Sequence, residues 1–130
     1  MGYRDGVVDR VHVEQGTDIL VVRVEGNLDL EETRQVIEKT RGNTAAGALP
    51  RLWDLSSAEG DFSREEIRRI ADLAQREEHS PPRIAVLVGS DLAFGQTRIF
   101  GVFRETAQTE VQVFRDEASA RHWLCGHGSG

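Results

Sequence analysis

The chain has 130 residues, 38% of them hydrophobic and 29% charged, and a formal net charge of −6. That length suits one domain that buries an apolar core without disulfides or metal. The acidic balance argues against a nucleic-acid-binding protein, which needs a basic face for phosphates. Cys125 is the single cysteine, so an intramolecular disulfide is excluded. We therefore expect a single domain over residues 1–125 and a flexible tail over residues 126–130.

The N-terminal residues and the length of the apolar runs indicate the cellular location. Met1–Arg10 carries acidic and basic residues where a signal peptide needs an apolar run. The longest apolar runs, Ile19–Val22 and Ile84–Val88, are too short to span a bilayer. The sequence predicts a cytoplasmic protein without a transmembrane segment.

The first elements in chain order predict a hairpin. Val7–Glu14 and Ile19–Glu25 are rich in β-branched residues and flank the turn residues Gly16-Thr17-Asp18. The second run is almost wholly apolar, as in a strand covered on both faces.

A helix and a third strand follow. The helix is expected over Leu30–Arg41, with Asp29 as its cap and Gly42 placed to stop it. Its predicted inward face consists of Leu30, Thr33, Val36, Ile37 and Thr40. The polar stretch Asn43–Ala48 then leads to a short strand, Arg51–Leu55.

The second helix has the clearest sequence signature. Ser63 and Glu66 have the spacing of a capping box, and Pro81-Pro82 ends the helical pattern. Its buried stripe is expected to contain Ile67, Ile70, Ala71 and Ala74. Arg83–Val88 follows as a fourth strand, whose unbroken apolar run predicts a central place in a parallel sheet.

The remaining elements complete an alternating pattern. Gly89-Ser90-Asp91 turns the chain into a third helix over Leu92–Ala107, Val111–Phe114 is the last strand, and Asp116 caps a final helix. Three residues of that helix, Ala120, Trp123 and Leu124, are expected to dock on the sheet. The order β-β-α-β-α-β-α-β-α predicts an α/β fold with a mostly parallel sheet of four or five strands.

The third helix has an unusual composition. Gly95 and Gly101 each cost about 1 kcal/mol relative to alanine in a helix interior. Its apolar face is predicted to contain Leu92, Ile99, Phe100 and Phe103, with Phe94 on nearly the opposite side. Two interpretations stay open: a helix that swings away to open an apolar cleft, and a core helix whose glycines permit close packing.

The carboxyl ends of the parallel strands are the expected binding edge, because open α/β sheets bind ligands there. The segments at that edge are Asp54–Ser57 and Gly89–Asp91. Ser90 is either part of an anion seat at the helix start or a simple helix cap, and no P-loop or GxGxxG pattern accompanies it.

Three strings and the order of the elements resemble the STAS superfamily, in particular its SpoIIAA-like branch, which is often grouped with Sec14-type lipid-binding domains. The strings are Leu52-Trp53-Asp54-Leu55-Ser56, then Leu92-Ala93-Phe94-Gly95 running on to Arg98-Ile99-Phe100, and Val113-Phe114-Arg115-Asp116-Glu117-Ala118 ending in Trp123-Leu124. The resemblance implies a helix-packed sheet and a function in partner binding. The Sec14 association adds an apolar or lipid-like ligand as an expectation.

The resemblance also implies a phosphorylated serine at the start of the second helix. In this sequence Phe62 stands where the acceptor serine would be, Ser63 is displaced by one position, and no glycine follows. Ser63 and Ser57 are the candidate phosphosites, and capping is the alternative role of Ser63.

No catalytic or metal signature is present. The sequence lacks GxSxG, HExxH and CxxC, and His122-x-x-Cys125-x-His127 matches no zinc pattern. A hydrolase or isomerase built around the acidic residues Asp54, Glu59 and Asp61 is the least favoured interpretation. We expect no enzyme activity, no cofactor and no metal.

The sequence therefore predicts a regulatory binding module that docks a protein partner. The alternative is a carrier or sensor of an apolar, lipid-like small molecule in a pocket gated by the third helix. A homodimer is compatible with either function. The expected binding residues are Asp54, Ser56, Ser57, Phe62, Ser63, Ser90 and Phe94, with the two phenylalanines as exposed anchors.

Overall fold

The fold is described from a computed structural model, which describes residues 11–15, 18–40, 49–77 and 81–126. Strands and helices alternate in these ranges after an initial pair of strands. The elements are β1 (Val11–Gln15), β2 (Leu20–Asn27), α1 (Leu30–Thr40), β3 (Arg51–Glu59), α2 (Arg64–Glu77), β4 (Arg83–Val88), α3 (Asp91–Arg104), β5 (Glu110–Phe114) and α4 (Glu117–Leu124).

The five described strands form one sheet in the order β1-β2-β3-β4-β5. β1 runs antiparallel to β2, and the other neighbouring pairs are parallel. The predicted α/β class and element order are therefore confirmed. The central strand is β3, whereas the apolar run of β4 lies between β3 and β5. That run is buried because helices cover both faces of β4.

The helices are divided unequally between the two faces of the sheet. Because the parallel strands follow one another in chain order, crossovers of one hand place α1, α2 and α3 on the same face. α4 covers the opposite face, where Ala120, Leu124 and Trp123 pack as predicted. The sheet residues beneath α4 are Ile19, Val21, Leu52, Ala85 and Leu87.

β3 is longer than the sequence pattern predicted. It extends beyond Leu55 to Glu59, and Ser56 and Ser57 are strand residues rather than loop residues. The register changes along the β2–β3 pair: Arg23 is opposite Asp54, but Glu25 is opposite Ser57. The extra β3 residue is a bulge, and it lies at the predicted binding edge.

The predicted helix caps are confirmed where they lie in the described ranges. Asp29 accepts a hydrogen bond from the Glu32 backbone (2.8 Å), and Ser63 accepts one from the Glu66 backbone (3.1 Å). Ser90 and Asp116 begin α3 and α4 in the same way. The predictions for residues 7–10, the turn residues Gly16 and Thr17, Gly42, residues 43–48 and the tail after Gly126 fall outside the described residues.

Candidate functional site

An apolar cavity of about 140 Å³, partly open to solvent, lies between the sheet and helices α1, α2 and α3. Its walls are mostly aliphatic and aromatic side chains. The sheet and its loops contribute Val24, Leu28, Trp53, Leu55, Ala58, Glu59, Gly60, Phe62, Val86 and Val88, and the helices contribute Thr33, Val36, Ile37, Ile67, Ile70, Ala74, Ala93, Gln96, Thr97 and Phe100.

The cavity exists because small side chains occupy inward positions on three walls. Ala58 lies near the end of β3, Ala74 on α2 and Ala93 on α3. A leucine at any of these positions would carry three additional heavy atoms into the space. Larger side chains at these positions would fill the space to the density that is usual for protein interiors.

Few polar groups interrupt the apolar wall. They are Thr33, Glu59, Gln96 and Thr97. The Thr33 hydroxyl donates a hydrogen bond to the backbone oxygen of Asp29 (2.8 Å). Such a surface suits an apolar molecule better than a charged one, since burying an unpaired charge is costly.

Gln96 of α3 holds the loop between β3 and α2 at one end of the cavity. Its Nε2 donates to Asp61 Oδ1 (2.9 Å) and to the Phe62 backbone oxygen (3.1 Å). The Phe62 backbone N–H in turn donates to Gln96 Oε1 (3.3 Å). The Phe62 ring lies so close to Gly60 that a Cβ on Gly60 would be 2.6 Å from it. Phe62 is therefore half-buried and forms part of the wall.

Polar and cation–π contacts join α2 to α3 along the same side. The guanidinium groups of Arg64 and Arg68 lie over the Phe103 ring, at 5.4 and 5.5 Å from its centroid. Such contacts are worth about 0.5–1 kcal/mol each at exposed sites. The seam between these two helices therefore includes contacts that can be broken at modest cost.

Asp54 belongs to an ion-pair network on the opposite, α4 face of the sheet. The Arg23 guanidinium donates to the Asp54 carboxylate, and it also donates to Glu117 of α4 (3.2 Å). Arg121 donates to the same Glu117 (2.7 Å). Hydrogen bonds from Arg23, and then from Arg121, hold the pKa of Glu117 below its ordinary range. The network joins β2, β3 and α4 and leaves Asp54 buried.

The predicted serines lie at the carboxyl edge of the sheet. Ser56, Ser57 and Ser90 are all exposed, and the Ser56 hydroxyl donates to Asp54 Oδ1 (2.6 Å). A Cβ on Gly89 would lie 2.5 Å from the Ser56 carbonyl oxygen, so the segments after β3 and β4 touch backbone to backbone. Only glycine fits this close approach.

Two predicted residues have different surroundings from those expected. Phe94 is half-buried and packs on the β4 cluster of Ile84, Val86 and Val88, so neither Phe94 nor Phe62 is an exposed anchor. Leu92, predicted on the apolar face of α3 with Phe100, is 54% exposed. Leu92 points to solvent because the face of the helix that lines the cavity consists of other residues, namely Ala93, Gln96, Thr97 and Phe100.

The acidic residues considered for catalysis do not share a loop. Asp54 and Glu59 belong to β3, with Asp54 paired to Arg23, while Asp61 accepts a hydrogen bond from Gln96. Within the described ranges, no three His, Cys, Asp or Glu side chains group as metal ligands. Among the described helices, none has both the length and the hydropathy required to cross a bilayer.

The cavity lies beneath the third helix, where the alternative interpretation expected a pocket, and not at the predicted binding edge, because the binding-edge rule depends on strand order. That rule places a ligand in the crevice where the order of parallel strands reverses. Here the order does not reverse, so the open space lies beneath the helices instead. The available sequence signal was the small size of Ala58, Ala74 and Ala93 at inward positions.

A family model described as SpoIIAA-like matches residues 19–125, which include β2 to α4. No curated protein is significantly similar to the chain. The mixed five-stranded sheet with alternating helices is the STAS type of α/β fold, and such domains are generally non-enzymatic regulatory or binding modules. Since the match covers most of the sequence, the chain belongs to the SpoIIAA-like family.

Proposed function

We propose that this protein binds a small apolar molecule in the cavity between its sheet and helices α1–α3. The observation that carries the proposal is the cavity itself, about 140 Å³ with an almost wholly apolar wall. An engineered apolar cavity of about 150 Å³ stays dry and takes up benzene or xenon. Water gains little in such a space, because a buried water needs two to four polar partners.

The cavity dimensions define the class of ligand. Drug-sized molecules occupy pockets of roughly 300–1,000 Å³, so the ligand of the closed protein is a compact hydrocarbon or aromatic group. A single polar substituent finds hydrogen-bonding partners in Gln96 or Thr97. A longer, lipid-like chain requires α2 and α3 to separate along the seam that Phe103 and Gln96 hold.

The proposal is tested by titrating methyl-labelled protein with benzene and then indole, following the NMR signals of Val86, Val88 and Ile67. Saturable shifts confined to these wall residues support it. Ala74→Leu places a larger side chain in the cavity and should abolish the shifts while the protein stays folded. Ala118→Leu makes the same change on an exposed position of α4 and should leave them intact. Equal shifts in both variants, or none in the wild type, would reject the cavity as a binding site.

Native mass spectrometry of freshly purified protein identifies a natural ligand. A non-covalent adduct that is lost on denaturation and absent from Ala74→Leu supports the cavity as its site. An adduct that Ala74→Leu retains would place the ligand elsewhere.

Docking of a protein partner at the carboxyl edge of the sheet is the second candidate function. The close backbone contact of Gly89 with Ser56 supports it, because this contact fixes two segments bearing the exposed Ser57 and Ser90 side by side. Ser57→Arg should abolish recovery of a partner that co-purifies with the wild type. Ser119→Arg, an equivalent exposed change on α4, should not. Unchanged recovery with Ser57→Arg would count against this edge.

Phosphorylation of Ser57 or Ser63 would regulate that edge by adding charge. The Ser63 hydroxyl already caps α2, and a phosphate there is favoured by the free N–H groups and the helix dipole. Intact mass measured under denaturing conditions detects such a modification, and peptide mapping assigns it. Protein that is unmodified in its host under several growth conditions would remove the switch from consideration.

A further inference from the structure

The outward face of α3 is apolar and has no partner within the described part of the chain. Leu92 is 54% exposed and Val102 is 75% exposed, and these are the exposed large hydrophobic residues of the described ranges. Gly95 and Ile99 lie between them at spacings of three and four residues, so all four share one face of the helix. We call Leu92, Gly95, Ile99 and Val102 the outer stripe.

No contact within the described part of the chain requires a glycine at position 95. A Cβ at this position would meet nothing within 4 Å, and the backbone there is not in the left-handed region that favours glycine. A glycine in a helix interior nevertheless costs about 1 kcal/mol relative to alanine. Gly101 on the same helix differs, because a Cβ there would contact Val111 at 3.5 Å. Gly95 therefore leaves space for an atom from outside the described part of the chain.

The charges beside the outer stripe identify the occupant. Asp91 and Arg98 lie seven residues apart on one flank, and both are exposed. Asp91 pairs with Arg115 (2.8 Å) through one carboxylate oxygen, whereas Arg98 has no ion-pair partner in the described ranges. When two α3 helices pack antiparallel about a two-fold axis, each flank faces the same flank of the other helix. Asp91 of each copy then meets Arg98 of the other.

Leu92 and Ile99 fit the same register, whereas Val102 lies beyond the overlap of the two helices, because its facing position would be residue 88 in β4. If the two antiparallel helices cross at Gly95, residues face each other when their numbers add up to about 190. Leu92 therefore lies against Ile99 of the other copy. Gly95 meets Gly95 at the point of closest approach, where small residues let helix backbones come together. We propose that the first part of the outer stripe, from Leu92 to Ile99, is the interface of a symmetric antiparallel dimer of this protein.

The dimer is expected to be weak. A stable interface buries about 1,600 Å² in total, and one helix face supplies less than this. Sedimentation velocity over low to high micromolar protein should therefore show a reversible monomer–dimer equilibrium. A monomer throughout that range would overturn the proposal.

A charge exchange tests the register. Arg98→Asp and Asp91→Arg should each weaken dimerisation about tenfold, because each places like charges together. The double variant should restore the affinity to within about threefold, since the two ion pairs form again in reverse. Arg69→Asp, an exposed change on α2, is the control and should have no effect. Failure of the double variant to recover, with its circular dichroism unchanged, would overturn the antiparallel pairing.

Gly95→Ala separates an interface role from a folding role. It should raise the melting temperature of the dilute protein while weakening dimerisation. If the melting temperature and the dimer affinity both rise, the helices do not meet at Gly95. A lipid membrane is the alternative occupant, and binding to vesicles of phosphatidylcholine and phosphatidylglycerol tests it. If the protein binds vesicles, Val102→Asp abolishes that binding and no dimer forms, the outer stripe contacts lipid and the proposal is wrong.

Discussion

Arg23 on β2 and Asp54 on β3 occupy paired register positions, and the Arg23 guanidinium donates a hydrogen bond to the Asp54 carboxylate. The same guanidinium donates to Glu117 on α4, so one side chain connects two strands with the helix covering them. The Asp54 side chain is 11% exposed, and that of Arg23 is 33% exposed. Water therefore replaces these bonds poorly when one partner is removed.

Arg23→Ala should lower the free energy of unfolding by about 1–3 kcal/mol, because it leaves the buried Asp54 carboxylate without this donor. Urea denaturation at neutral pH measures the change. Arg69→Ala removes an exposed pair with Glu65 (3.4 Å) and should cost less than about 0.5 kcal/mol. Equal losses in the two variants would contradict a structural role for the network.

Stability should fall as the pH is lowered below the ordinary glutamate pKa of about 4.3. The pKa of Glu117 is depressed in the folded protein, chiefly by the hydrogen bond from Arg23, so the unfolded chain binds its proton first. Glu117 contributes its full share of the free energy of unfolding above its pKa in the unfolded chain. That share is lost as the pH falls through its lower pKa in the folded protein. Glu117→Gln should reduce the slope of unfolding free energy against pH in this window, and an unchanged slope would assign the pH dependence to other carboxylates.

The same substitution at two glycines should have opposite effects. Gly89→Ala places a Cβ 2.5 Å from the Ser56 carbonyl oxygen, and because a backbone atom cannot rotate away, we expect a loss of about 2–4 kcal/mol. Gly95→Ala meets nothing within 4 Å and should gain about 0.5–1 kcal/mol in dilute protein. Thermal unfolding of both variants gives the comparison. A stable Gly89→Ala variant would show that the segments after β3 and β4 are not in tight contact.

Gln96→Ala should release the β3–α2 loop, because three hydrogen bonds to Asp61 and Phe62 are lost together. We expect faster hydrogen exchange at the Phe62 amide and a loss of about 1–2 kcal/mol of stability. Gln112→Ala, on an exposed position of β5, is the matched control. Unchanged exchange at residues 60–66 would mean that Gln96 does not hold this loop.

The wild-type exchange pattern also tests whether α3 moves. The mobile-helix hypothesis predicts that α3 exchanges faster than α2, since two glycines weaken it. Equal protection of the two helices would contradict it.

The fold was predictable because its signals are local. The capping boxes of Asp29 and Ser63 and the apolar run of β4 each specify an element without reference to the rest of the chain. The extension of β3 to Glu59 was not predictable, because Ser56 and Ser57 have no strong strand preference: Ser57 is held by pairing with Glu25 of β2, and Ser56 lies in the bulge before it.

The site depends on relationships that no local pattern encodes. Asp54 and Phe62 are near one another in sequence, yet one pairs with Arg23 beneath α4 and the other lines the cavity on the opposite face. The contact of Gln96 with Phe62 joins residues 34 positions apart. Periodicity gives the face of a residue within its element, but it does not give the strand order that decides which elements enclose a space.

Strand order also decides when each face of the sheet is covered during synthesis. Each of β3, β4 and β5 pairs with the strand completed just before it, and α1, α2 and α3 cover their face in turn. The other face waits for α4, so Leu52, Ala85 and Leu87 stay in contact with water until Ala120 and Leu124 have left the ribosome. A chain truncated after β5 would lack α4 and expose this apolar face of the sheet, and exposed apolar surface of this kind promotes aggregation.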